Sequence, residues 1–205
     1  MEKEPSLVYA PIVVINTIIN DFFKYRGVKY SGKLTDDEII TQMEDKGYVK
    51  LISDKIAVVV AEKDHKCSKE KQEFISMMKF VRELPAEVNE LIIVLDKDII
   101  ESKKNITSEI IVLQQTYPKL HVVSCPYIRF TFNILAHKDV GEYSILKSEE
   151  IAELIKIKHL NLSDIKVILE SDPPILWIGA RKGDIVSCKD KSLTVKKKIE
   201  YYMIK

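Results

Sequence analysis

No stretch of this sequence stays apolar for the roughly 18 residues that a membrane span needs. The longest such run, Ile56 to Ala61, suits a buried strand instead. The charged start "MEKEPS" is not read as the beginning of a signal peptide, and the cytosol is the default expectation. An excess of charge is missing too. Against 32 Lys and Arg stand 31 Asp and Glu, for a formal net charge of +1. A wholly basic nucleic-acid binder is therefore not indicated, and any basic surface must be local. Cysteine is scarce: Cys67, Cys125 and Cys188 lie far apart with no CxxC between them. That argues against a disulfide framework or a zinc ribbon and for three reduced thiols. No internal repeat or low-complexity tract breaks the chain.

What is present suffices for a globular protein. With 46% apolar residues in 205, one large domain or two small ones can bury a core. Pro11 to Gly27 reads as a helix, its apolar residues Ile15, Ile18, Ile19, Phe22 and Phe23 falling near a 3.6 period. Thr35 followed by Glu38 is a capping box for a second helix that ends at Gly47. "YVKLI" and "IAVVVA" read as strands around a Ser53-Asp54-Lys55 turn, and Ser68 to Glu83 as a helix. "LIIVL" is a strand buried on both faces. A helix from Ile106 to Tyr117 and the strand "LHVVS" follow. This alternation argues an α/β unit over residues 1–137. Beyond it the texture changes. "HKDVGEY" is a polar connection, Ser148 can cap a helix, and strands are expected near "DIVSC" and "IEYYMI". Residues 138–205 thus read as a smaller α+β unit.

Several chemistries can be weighed on residue types alone. Glu62, Asp64, Asp96 and Asp98 sit just after expected strands, where α/β folds place active sites. A metal-dependent nuclease would use such carboxylates, but fold position alone is an analogy and not a site. His65 with Cys67 and His121 with Cys125 are isolated pairs, short of the four ligands of structural zinc. No metal, cofactor or catalytic residue is assigned. From Arg181 to Lys205 eight Lys and Arg face three Asp and Glu, densest at Lys196-Lys197-Lys198. Such a cluster can neutralise phosphates in a free DNA-binding module, or simply be a solvated face.

The most distinctive stretch is "SDPPILWIGARKGDIV", residues 171–186, which holds the chain's one Trp. Asp172 is a good N-cap whose carboxylate can accept from first-turn amides, and Pro173 suits the first helical position. The helix stops at Gly179, and Gly183 closes a turn into a strand. The order helix, Gly, basic turn, Gly, strand is not that of a phosphate-binding P-loop. A helix this short must be held by tertiary packing. Its run Ile175-Leu176-Trp177-Ile178 is too apolar to face one small core, so part of it is expected to face a second layer or another chain.

This stretch resembles a motif of the fifth subunit shared by eukaryotic nuclear RNA polymerases, which has a shorter counterpart in archaea. Asp172, Pro173, Gly179, Arg181, Lys182, Gly183 and Val186 match in order. "FNILAHKDVGEYSILKSEEIAELI" is similar to the family's interdomain connection, "NELIIVL" to its central N-terminal strand, and "KYRGV" to the end of its opening helix. The departures are Leu176-Trp177, Asp184, Ile99-Ile100 within "DKDIIESKK", and "DKSLTVKKK". They look most like the divergent version of large DNA viruses of the African swine fever virus type.

The resemblance implies a non-catalytic subunit with a jaw-like α/β N-terminal domain (a mixed sheet with helices) and a small α+β C-terminal assembly domain. The partners it implies are the largest polymerase subunit, a small omega-like subunit and downstream duplex DNA, with no membrane. It implies partner binding by Asp172, Pro173, Trp177, Gly179, Arg181, Lys182 and Gly183. Lys97, Lys103 and Lys104 are the candidate DNA contacts, and a viral cytoplasmic factory or virion is the expected location.

Overall fold

The computed structural model describes residues 10–61, 81–95, 104–158, 165–191 and 199–205. The chain divides into two compact units, Met1–Phe132 and Asn133–Lys205. The division falls five residues before the sequence-read junction at 137/138. The reason is local. A 3-10 turn, Ile134–Ala136, packs on the helix Pro173–Ile178, and Lys191 Nζ donates to the Leu135 carbonyl at 2.9 Å.

In the first unit, helix α1 (Ala10–Thr17) runs through a π-helical turn (Ile18–Phe22) into a last turn, Phe23–Tyr25. The apolar spacing alone does not disclose the wide turn. It leaves Val14, Ile15, Ile18, Phe22 and Phe23 all buried. Helix α2 (Asp36–Lys46) carries both halves of its capping box. Thr35 Oγ1 accepts from the Glu38 amide, and Glu38 accepts from the Thr35 amide at 2.8 Å. Donation to the Glu38 carboxylate by the Thr35 amide, and then by the Thr35 hydroxyl, pulls that carboxyl below its ordinary value.

Four strands follow: β1 (Tyr48–Ile52), β2 (Ile56–Ala61), β3 (Glu90–Leu95) and β4 (His121–Pro126), ordered β1-β2-β3-β4. β1 is antiparallel to β2, and β2, β3 and β4 are mutually parallel. The register puts Val49, Leu51, Val58, Val60, Ile92 and Val94 on one face, where α1 packs. Ala57, Val59, Leu91, Ile93 and Val122 form the other, covered by Leu113 of α3 (Lys104–Thr116). A central strand sandwiched between two helical layers is apolar along most of its length, and all six residues of β3 are buried. Its first residue is Glu90, 4% exposed, which is paired with Arg26 at 2.5 Å.

The second unit is a four-stranded sheet with helices. Its strands are β5 (Glu142–Ile145), β6 (Lys166–Ile168), β7 (Ile185–Lys189) and β8 (Ile199–Ile204), ordered β5-β7-β8-β6. Only β6 and β8 run parallel. β5 begins inside the stretch read as a polar connection and runs two residues past it, because a four-residue edge strand carries too little apolar signal. Helix α4 (Ser148–Lys158) begins at Ser148 rather than being capped by it. Its Glu150 reaches back to the Lys147 amide at 2.7 Å. Helix α5 (Pro173–Ile178) packs on the face formed by Tyr143, Val186, Tyr202, Ile168 and Ile204.

Candidate functional site

The corner built by residues 172–186 folds as its sequence dictates, with two corrections. Asp172 occupies the N-cap position with extended backbone, but its side chain makes no capping hydrogen bond. Pro174 removes the N2 amide, one of the two a cap side chain ordinarily serves, while the Asp172 carbonyl accepts from the Leu176 amide at 3.0 Å. At the other end Gly179 is left-handed, with φ 73°. Its amide bonds to the Leu176 carbonyl, and the Ala180 amide to that of Ile175, which completes a Schellman stop.

The second correction concerns the apolar run. Trp177 is fully buried within the chain, as is Ile175, and Leu176 is 3% exposed. These side chains are not offered to a neighbour. Ile175 packs with Val186 and Ile204 of the sheet, and the 3-10 turn Ile134–Ala136 also packs on this helix. What the corner does offer is its turn: Arg181, Lys182 and Gly183 are exposed.

That turn is stiffened from within. The Arg181 amide donates to the Asp184 carboxylate at 2.7 Å and the Lys182 amide to the Glu170 carboxylate at 3.3 Å. The Gly183 amide bonds to the Ile204 carbonyl and the Asp184 amide to that of Arg181. A phosphate cradle needs such amides free and aimed at the anion. Here carboxylates and carbonyls of the chain itself hold them. Asp184 and Glu170 were missed by sequence reasoning. Asp three residues after Arg181 was a readable turn signal, whereas Glu170 carried none.

Beside the corner lies a polar cluster on the same sheet face. Tyr202 donates to Glu200 at 2.5 Å, and Lys166 pairs with Glu200 at 3.0 Å. The hydrogen bond to Glu200, then burial, lifts the Tyr202 phenol to about 12. Burial first, and then its hydrogen bond to Cys188, raise the Tyr143 phenol. Burial also raises the Cys188 thiol, which is opposite to what a reactive thiolate requires. Gly141 is pressed against this cluster. A Cβ there would stand 2.5 Å from Cys188 Sγ and 2.9 Å from the Lys189 carbonyl oxygen.

His121 and Cys125 lie on β4, Cys125 fully buried with its thiol pushed up to about 12 by desolvation. Among the described residues no three His, Cys, Asp or Glu side chains converge to hold a metal ion. None of the described helices is long and apolar enough to cross a membrane. Glu62, Asp64, His65, Cys67, Asp96, Asp98, Lys97, Lys103, the Lys104 side chain, Lys196-Lys197-Lys198 and most of the expected helix from Ser68 lie outside the described residues.

The class defined by this geometry is a two-unit α/β protein whose smaller unit presents a rigid basic corner suited to contact. Comparison with known proteins is consistent with it. Residues 132–204, nearly the whole second unit, match the family model "RNA polymerase Rpb5, C-terminal domain". Among curated relatives, the RPB5 homologue of African swine fever virus is 33% identical over 105 residues, 51% of this chain and 51% of that one. The match thus spans about half the length of these viral relatives. The Rpo5 subunit of Thermococcus celer is 40% identical over 63 residues, covering 31% of this chain and 77% of the archaeal one. That of Thermococcus kodakarensis is 41% identical over the same length. The chain belongs to the Rpb5 family of RNA polymerase subunits.

Proposed function

We propose that the chain is a non-catalytic subunit of a DNA-directed RNA polymerase. Its C-terminal unit anchors on the largest subunit, next to the small omega-like one. Its N-terminal α/β unit forms part of the jaw around downstream duplex DNA. One observation carries the reading: the family match over residues 132–204 falls on a stretch that is also a compact unit of this chain, Asn133–Lys205. The exposed turn Arg181-Lys182-Gly183 is the contact element, framed by Asp172, Pro173 and Gly179. Trp177 acts from beneath, fixing the corner rather than touching the partner. Lys97, Lys103 and Lys104 remain the proposed DNA contacts of the N-terminal unit. The proposed setting is the host cytoplasm, at a viral factory, with carriage in the virion; the African swine fever virus relatives motivate a viral context.

The test is purification of the tagged full chain from cells that make it naturally. Large polymerase subunits should copurify in stoichiometric amount, and Arg181→Glu with Lys182→Glu should lower that yield while the chain stays folded. Copurification of no polymerase subunit would end the proposal. Magnesium-dependent DNA cleavage by the purified chain, lost in Glu62→Ala, would instead support a nuclease-like enzyme.

A further inference from the structure

Burial of the α5 side chains leaves the second unit's exposed apolar surface elsewhere. On the opposite face of the sheet, α4 leans over Tyr201 of β8 and leaves an open groove of about 300 Å³. It is lined by Leu146, Glu150, Glu153, Leu154, Ile157 and Tyr201. Positions 150, 153, 154 and 157 share one face of α4, and Leu146, between β5 and α4, extends the same wall. The floor is apolar, with Leu154 buried and Tyr201 half-buried, and Ile157 stands 68% exposed at one lip. The rim is acidic. Glu150 and Glu153 are both exposed, and among the described residues Glu153 has no hydrogen-bond or ion-pair partner.

We infer that this groove receives a helical segment of a partner subunit that carries one or two apolar side chains flanked by Lys or Arg. The volume accommodates side chains rather than a backbone, which is how an amphipathic helix docks. The two carboxylates select the sign of the flanks, because like charges opposed across an interface are strongly disfavoured. The apolar floor supplies the affinity, since burying Ile157 and the Tyr201 ring removes surface now in water. The inference rests on the proposed subunit role, and it places the second contact on the sheet face away from the Arg181 turn.

The experiment uses the full tagged chain with its polymerase partners. Ile157→Asp, and separately Glu150→Lys with Glu153→Lys, should each lower recovery of the partner subunit at least tenfold. Ile155→Asp, on the same helix but outside the groove, should leave it unchanged. The exposure of Ile157 keeps its variant folded, and a circular dichroism melt verifies that. A carbodiimide, which condenses a carboxylate with an amine to an amide while itself becoming a urea, should join Glu153 to a lysine of the partner. Undiminished recovery with both groove variants overturns the inference while leaving the subunit role intact. Crosslinks from Glu153 to a second copy of this chain overturn it in favour of self-association. If even the wild-type chain recovers no polymerase subunit, the underlying role fails and the groove assignment falls with it.

Discussion

Replacing Trp177 by Ala tests the central revision made by the structure, that this side chain supports the corner from inside. A buried Trp removes about 200 Å² from water. At about 25 cal/mol per Å² that is worth about 5 kcal/mol. Truncations of this kind cost about 3–5 kcal/mol in measured cores. The second unit spans residues 133–205, a size at which a core rarely contributes more than about 3–5 kcal/mol of net stability. Trp177→Ala should therefore leave that unit largely unfolded at 25 °C, while the sheet of the first unit survives. Trp177 is the one Trp of the chain, so wild-type fluorescence reports on this unit alone. Its emission should be blue-shifted and shielded from iodide until denaturant unfolds the unit. The variant is followed by circular dichroism, which should lose a fraction of the native signal in buffer. A wild-type Trp quenched as readily as in denaturant, or a variant with an unchanged unfolding midpoint, would refute the reasoning.

Three further perturbations have definite expected outcomes. Gly141→Ala drives a Cβ into the Lys189 carbonyl oxygen, which cannot swing aside as a side chain can, so a loss of about 1–3 kcal/mol is expected in chemical denaturation; adding Cys188→Ala should recover only part of it. Arg26→Ala strands Glu90 as a buried carboxylate and should cost about 3–5 kcal/mol; Arg26→Met with Glu90→Gln should be markedly less destabilising, and a double variant no better than the single one would disprove the pairing. The Tyr202 phenol is raised from 10.0 to about 12, so the folded state holds its proton more tightly than the unfolded one. Its contribution is complete below pH 10 and lost as pH climbs through 12, so the denaturation midpoint should fall across that window, less steeply in Tyr202→Phe.

Much of the framework was legible because its signals are local. The Thr35 capping box, the Ser53 turn and the all-apolar "LIIVL" each specify their own conformation within a few residues, and each is found where expected. The Pro pair and Gly179 likewise specify the corner. What stayed hidden depends on distant partners. Glu90 looks like any surface carboxylate until Arg26, 64 residues away, lies against it. Glu170 holds the Lys182 amide across 12 residues, and no spacing rule announces it. The apolar run at Trp177 declares its need for burial, but its hosts cannot be read from a single helix. The groove between α4 and Tyr201 is invisible in sequence because its two walls come from segments 44 to 55 residues apart.

The bond from the Gly183 amide to the Ile204 carbonyl ties the corner to a strand made later in synthesis. All four strands of the first unit precede residue 127, so that sheet can close while the second is still being made. At about 5–20 residues per second, roughly 4–15 s separate the synthesis of β4 from that of β8. Until then the basic turn lacks its anchoring carbonyl. A growing chain thus has its first unit ready before its corner, and contacts made through the turn wait until β8 has been made and paired.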